Sequence, residues 1–485
     1  MAALPGLGVE RIARFFPPDP GRLSAVVLIA LIFCVIGAFV LRADWLGALA
    51  RILLLAYLLL EWPGIQRTGR VILGAAAAVM AAVILTGDEP LAVIGAGLDQ
   101  GAFFATFLAN QFFLREPARG SPVVHRCASF FIDQPPSRRY GLLTLGGYLF
   151  GTILNLGALS LLGLMIRRRN SLAAAGGHAA VHEVRTRRMV TAVLRGFAVA
   201  PLGSPISMMM AVVLTLLPGV IWTQIFPLTL VAVALFLTIG WVQDRVESPR
   251  HLAHLAPAIA GRWDARPLLR LLMIVIGIFA LALGIELAVD LPLSRAVLVA
   301  VPTAGLIWLA LQHRRFGPLR GSRLIGRRLV REGARVFPRY RTEIAILASA
   351  GFIGTLFTTL VAQGWLGQLL TLLPVAPVLI PPVLMALIVA LSLLGLNPIV
   401  MVTIFAAGFQ GVTDFAVSPT MLGLALMCGW AISVNLSPLT AAAMVIGELA
   451  GRPAREVTLV WNRRYALLCL GLIGVWLAAL TSIMG

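Results

Sequence analysis

The stretch Gly196-Phe-Ala-Val-Ala-Pro-Leu-Gly-Ser-Pro-Ile-Ser207 occurs twice, the second time as Gly429-Trp-Ala-Ile-Ser-Val-Asn-Leu-Ser-Pro-Leu-Thr440. Laid together without gaps, Gly196/Gly429, Ala198/Ala431, Ser204/Ser437 and Pro205/Pro438 are identical, and five more positions are close substitutions. Each copy puts a Ser-Pro inside an apolar segment, where the proline removes a helical hydrogen bond and frees a carbonyl. Lipid tolerates such a break only if the freed backbone faces protein or a wet cavity. Matched, interrupted segments in two halves of a chain point to a transporter's binding site.

Composition agrees with a membrane setting. The chain is 59% hydrophobic and 12% charged, with a mean hydropathy of +0.94, which excludes an ordinary soluble domain. Apolar runs of the ~20 residues needed to cross hydrocarbon recur along its length. The net charge of +19 comes from arginine alone, since there is no lysine. The arginines sit mainly between apolar runs, without the interleaved aromatics of a nucleic-acid platform, so the positive-inside rule accounts for them and no nucleic-acid partner is expected. Cys34, Cys127, Cys428 and Cys469 are far apart, which argues against disulfides and a metal cage. His178 and His182 have helical spacing beside Glu183, but they lie in an Ala/Gly-rich loop with no third ligand, and no zinc site is expected. There is no Gly-Lys-Ser/Thr phosphate loop and no nucleophile elbow, so neither ATP energising nor an enzyme activity is expected, and no cofactor beyond a coupling sodium or proton.

Arg11, Arg14 and Arg22 precede a run over 23–41, read as a retained first helix with a cytoplasmic N-terminus. Residues 9–16 are expected along the membrane surface. Further spans are expected at 45–61, 71–87, 92–114, 189–217, 224–241, 268–288, 294–311, 344–363, 418–449 and 465–483, the last ending outside. The run 140–166 is long enough to span, yet both flanks are basic: Arg115, Arg119, Arg126, Arg138 and Arg139 before, and Arg167, Arg168, Arg169, Arg185, Arg187 and Arg188 after. A re-entrant hairpin open to the cytoplasm, with its tip at Gly151-Thr-Ile-Leu-Asn155-Leu-Gly157, satisfies that bias; an ordinary helix with Asn155 facing a neighbour is the alternative. A second hairpin, 383–409, has Leu394-Gly395-Leu396-Asn397-Pro398 at its middle and opens outside. Between them the most basic loop, 312–342, carries ten arginines from Arg314 to Arg341. The chain thus reads as an all-α polytopic membrane protein of about 11 transmembrane helices plus two re-entrant hairpins. Its parts are an N-terminal segment 1–44, a repeat 45–243, a cytoplasmic linker 244–267 and a repeat 268–485. An odd number of spans separates the halves, which makes an inverted-topology repeat.

On these segments the chain resembles the ion transporter superfamily, which includes divalent-anion/sodium symporters, arsenite and sodium/proton antiporters, and large membrane subunits of tripartite periplasmic transporters. Gly395-Leu-Asn-Pro-Ile-Val-Met-Val-Thr-Ile-Phe-Ala-Ala resembles the hairpin-tip asparagine followed by small residues, and Ala431 to Ala442 resembles the proline-broken segment behind it. The resemblance implies Asn155 and Asn397 at two tips facing Ser204-Pro205 and Ser437-Pro438 near the midplane. It also implies a homodimer in the bacterial cytoplasmic membrane, whose hairpin-bearing domain moves against a scaffold as an elevator. The tips read Leu154-Asn155-Leu156 and Leu396-Asn397-Pro398, not the Ser-Asn-Thr of dicarboxylate symporters, which weakens the case for sodium and dicarboxylate here.

A broken helix aims N–H groups and a positive dipole end at the gap, which suits an anion without any full positive charge. Freed carbonyls with amide and hydroxyl oxygens suit a small hard cation such as sodium. The polar candidates are Asn155, Ser204, Ser207, Asn397, Asn435, Ser437 and Thr440, around Pro205, Pro398 and Pro438. Gly157, Gly203 and Gly395 would allow close backbone approach. The plain alternative is that these small polar residues hold packed helices together. Arg195, just before the first copy, either meets an anionic solute or snorkels to the inner interface. Asp99, inside the fourth helix, either carries a coupling proton or makes a scaffold or dimer contact. The expected function is secondary active transport of a small, anionic solute, driven by protons or sodium. Cation/proton antiport is the alternative, and an enzyme acting on lipid-linked substrates a more distant one.

Overall fold

The computed structural model describes residues 20–86, 89–217, 219–247, 264–360, 376–409 and 417–484. The surface piece at 9–16, the turn residues 87 and 88, most of the 244–267 linker and the end of the 344–363 span lie outside these residues. Everything regular among the described residues is helical. Among the described residues, nine helices are long and apolar enough to cross a membrane: Gly21–Leu41, Asp44–Gly64, Arg67–Thr86, Pro90–Arg119, Trp222–Glu247, Arg266–Val289, Leu293–Phe316, Pro419–Ala450 and Arg463–Met484. The protein is a multi-pass membrane protein. The two other expected spans, 189–217 and 344–363, are respectively divided by a break and continuous with a longer helix.

The chain forms two compact units, one of residues 1–117 and 302–360, the other of 118–301 and 361–485. The division falls at Pro117 inside one helix and at Pro302 inside another.

In the first unit, α1 (Pro20–Leu41) packs on α2 (Asp44–Glu61), and both α1 and α3 (Arg67–Thr86) pack on the long helix Pro318–Leu360. The expected loop 312–342 is therefore mostly helical. Arginine is a good helix former, and Leu329, Gly333, Val336 and Phe337 fall on one buried stripe. Its arginines also find acids: Arg328 Nε lies 2.8 Å from Glu116 Oε1, and Arg341 Nη1 3.4 Å from Glu61 Oε2. Asp99, in α4 (Pro90–Arg119), accepts both Nε and Nη2 of Arg51 at 2.7 Å. Both bonds lie within the first unit.

In the second unit, the expected link 115–139 contains a helix, α5 (Pro122–Ile132), whose buried Val124, Cys127, Ala128 and Phe131 line one face. Then come α6 (Pro136–Leu154) and α7 (Leu156–Arg169), which pack together as a hairpin with Asn155 between them. The expected helix 189–217 begins earlier and is split into α8 (Ala179–Val199) and α9 (Met208–Leu216). Pro201 and Pro205 each remove a helical donor, so residues 200–207 leave the helix. Next are α10 (Trp222–Glu247), α11 (Arg266–Val289) and α12 (Leu293–His313), the last running into the first unit. With α13 (Pro318–Leu360) already placed, the second hairpin is α14 (Ile380–Leu393) and α15 (Pro398–Gly408). It is followed by α16 (Pro419–Leu436), a break at 437–440, α17 (Ala441–Ala450) and α18 (Arg463–Met484).

The packing of these parts is reciprocal. The first arm of each hairpin lies on the broken helix of its own half, α6 on α8 and α14 on α16. The second arms cross over: α7 packs on α17, and α15 on α9. The closing helices α10 and α18 pack on each other, and α8 packs on α16.

Candidate functional site

The paired glycines of the duplicated motif set the hairpins on the broken helices. A Cβ on Gly196 would stand 1.9 Å from the Thr144 carbonyl oxygen of α6, and one on Gly429 3.0 Å from the Met385 carbonyl oxygen of α14. Both glycines let a hairpin backbone approach its broken helix, more tightly at Gly196 than at Gly429.

From that contact the first hairpin reaches its break. Tyr148 donates its hydroxyl hydrogen to the Gly203 carbonyl at 2.7 Å, and Gly151 lies against Ala200. The tip residue Asn155 has φ 51° and ψ −135°, a positive φ shared among the described non-glycine residues only with Arg42 and Asp290. Such backbone costs roughly 1–3 kcal/mol and persists only where the surroundings hold it. The half-buried Asn155 side chain makes no hydrogen bond among the described residues. Gly157 follows in the first turn of α7, half-buried.

The second hairpin is tied more tightly. Ser437 donates to the Ser392 carbonyl at 2.8 Å. Gly395 turns at φ +98°, with Leu439 of the break beside it. Asn397 caps α15, accepting the Ile399 N–H at 3.0 Å, and Pro398 takes the first helical position, which needs no donor.

Past each break, the motif's last residue starts the next helix. Ser207 Oγ accepts from Met210 N at 3.1 Å and Thr440 Oγ1 from Ala443 N at 3.2 Å. Each cap satisfies one of the four orphan N–H groups of a helix start, so α9, α15 and α17 keep positive ends. Among the described residues, two polar atoms in or just before the breaks lack any partner: Ser204 Oγ, in a residue 2% exposed, and Asn435 Oδ1, in one 0% exposed. The Asn435 amide group donates to Ala431 O at 3.0 Å, so only its carbonyl oxygen is left over. A buried unsatisfied polar atom is costly. Pro205 and Pro438 keep the segments open.

The candidates divide as follows. Hydrogen bonds and contacts join Gly203 to the first hairpin, and Gly395 and Ser437 to each other's elements in the second half. Ser207, Asn397 and Thr440 act as caps. No hydrogen bond links Asn155 to Ser204 or Asn397 to Ser437 among the described residues. Asp99 belongs to the first unit. Arg195 does not snorkel: it is 5% exposed, because Nε donates to Asn462 Oδ1 and Nη1 to Tyr140 Oη, both at 2.8 Å. Its guanidinium also stacks 4.2 Å from the Tyr465 ring centroid. Asn462 in turn donates to the Val457 carbonyl, freed by the wide turn Glu456–Trp461. Glu183 pairs with Arg452 at 2.9 Å, away from His178 and His182. A cavity of about 210 Å³ lies elsewhere, between Tyr140, Gly141 and Thr144 of α6 and Leu237, Thr238 and Trp241 of α10. Tyr148, Ser392 and Asn462 are partners that the one-dimensional reading missed. Only Ser392, a lone hydroxyl just before a Gly-Leu-Asn-Pro tip, carried a signal that could have found it.

No protein-family model matches the chain, and no curated protein matches it. Among solved structures, the chain is similar to the Alcanivorax borkumensis YdaH transporter, with a TM-score of 0.52 and 15% identity over 84% of this chain and 88% of that one. It also aligns with Neisseria gonorrhoeae MtrF, described among antimetabolite efflux pumps, with a TM-score of 0.49 and 12% identity over 95% of both chains. What the first likeness establishes is the fold: this chain is an all-helical, multi-pass membrane protein built like a solved transporter.

Proposed function

We propose that the protein is a secondary active transporter that carries a small, anionic solute across the bacterial cytoplasmic membrane, driven by a proton or sodium gradient. The observation that carries this reading is the reciprocal packing of two hairpins on two broken helices, with Ser204 Oγ and Asn435 Oδ1 buried and unpartnered at the breaks. Exchange of second arms between halves is what two repeats related by a two-fold axis produce, and an inverted repeat of this kind sets substrate between its broken helices. The solute is taken as anionic because helix starts, not acids, surround the breaks: no Asp or Glu stands within 196–207 or 429–440. Cation/proton antiport needs a titratable group there, and Asp99 is already engaged by Arg51.

The mechanism proposed is an elevator. The second unit holds both hairpins and both breaks and is the moving part; the first unit, tied by arginine–carboxylate pairs along α13, is the scaffold of a homodimer. Pro117 and Pro302, where the units divide, are the natural flexing points, since an internal proline lacks one helical hydrogen bond. The known activity of the YdaH transporter as a transporter lends support at the level of fold.

The test is uptake by purified protein in proteoliposomes across a panel of small organic anions, under imposed proton or sodium gradients. Gradient-dependent uptake that is lost in Asn155→Ala and Ser204→Ala, with folded protein retained, is expected. Uptake of cations alone, or full activity in both variants, would sink the proposal.

A further inference from the structure

The base of the first hairpin gathers charge from five elements: Asp133 and Gln134 after α5, Arg139 of α6, Arg169 and Asn170 ending α7, Arg185 and Arg188 of α8, and Asp244 of α10. Its acids are spoken for. Asp133 pairs with Arg169 at 3.1 Å. Asp244 holds Arg188 through two bonds of 2.8 and 2.7 Å. Among the described residues, Arg139 and Arg185 are left without a bonded carboxylate.

Their remaining bonds are few. Arg139 Nε donates to the Gln134 carbonyl at 2.8 Å, and Arg185 Nη1 to the Ala174 carbonyl at 2.7 Å. The Nη2 atom of each is buried with no partner, and Arg139 as a whole is 6% exposed. Burial, reinforced by the like charges of Arg185 and Arg188 and opposed by Asp133, lowers the pKa of the Arg139 guanidinium to about 10. A buried cation without a counter-charge is costly, and the planar fork of arginine matches a tetrahedral oxyanion through paired N–H bonds.

We propose that this base is a binding site for a doubly charged phosphoryl oxyanion, held by Arg139 and Arg185 through their unpartnered Nη2 groups. Two guanidinium groups without a bonded carboxylate match two negative charges. Free phosphate and the phosphomonoester headgroup of an anionic lipid share that chemistry. The base of the second hairpin has no such cluster, because no arginine lies between Thr342 and Ala450. This site is separate from the breaks and does not depend on what they carry.

The test uses the full-length protein, delipidated in a neutral detergent. Its unfolding midpoint is followed against inorganic phosphate, with sodium chloride at matched ionic strength, and separately against phosphatidic acid, with phosphatidylcholine as control. A saturable rise of about 2 °C or more is expected from phosphate, phosphatidic acid or both. It should be lost in Arg139→Gln and Arg185→Gln and kept in Arg187→Gln, an exposed neighbour. A response to phosphatidic acid alone makes the headgroup the ligand; a response to phosphate makes it the free anion. If Arg139→Gln does not fold, the half-buried Arg185→Gln decides. No shift with either ligand, or a full shift in Arg185→Gln, overturns the proposal.

Discussion

The two hairpin–break pairs are built from the same motif, yet they are held differently. In the second, Ser437 is bonded to Ser392, Asn397 caps its helix, and a glycine takes the positive φ at the turn. In the first, Ser204 Oγ has no partner, an asparagine takes the positive φ, and the break runs over 200–207 instead of 437–440. The motif serine at position nine is therefore spent on its own hairpin in the second pair and left open in the first, while the second pair's one unpartnered oxygen is on Asn435. The same motif is thus held by different bonds in its two copies.

The largest expected effect tests whether the paired glycines really are equivalent. Gly196→Ala puts a methyl group into the Thr144 carbonyl and should cost about 3 kcal/mol or more, whereas Gly429→Ala, with more room at Met385, should cost about 1 kcal/mol. The monodisperse fraction and unfolding midpoint read both; equal losses would break the comparison. Next comes the position just before each copy. Arg195→Gln should cost about 2–3 kcal/mol, since it gives up charged bonds to Tyr140 and Asn462. Cys428→Ala, at the matching position, should cost clearly less, and midpoints that fall equally would show that Arg195 contributes packing alone.

At the first tip, Asn155→Gly should be more stable than Asn155→Ala by about 1 kcal/mol, because glycine accepts the positive φ without strain. Both should fail in transport. An alanine variant as stable as the glycine one would argue against the strained turn. The smallest effect separates the serines. Ser437→Ala should lose about 1 kcal/mol with its bond to Ser392. Ser204→Ala should leave stability unchanged while weakening solute-induced stabilisation, measured as the midpoint shift at saturating solute.

Much of this architecture was legible because it is written in local chemistry. Arginine on both flanks of 140–166 pointed to a hairpin, and Asn155 does stand between two helix ends, those of α6 and α7. Prolines at 201, 205 and 438 announce the breaks. What failed was reading polarity as irregularity. The arginine-rich stretch 312–342 is mostly helix, since arginine favours helix and its apolar residues keep one stripe. Arg195 was misjudged for a related reason: a charge beside an apolar run reads as a surface residue until its partners, from α6 and from the segment before α18, are known.

By itself the sequence determined a membrane-embedded helical chain, its twice-occurring motif and the two breaks within it, because hydropathy and proline act over a few residues or along one segment. Only the tertiary structure decided which hairpin arm meets which broken helix, which polar atoms at the breaks are satisfied, and where arginines are left without acids. Those facts depend on contacts between residues hundreds of positions apart, such as Arg195 with Asn462, and no local pattern encodes them.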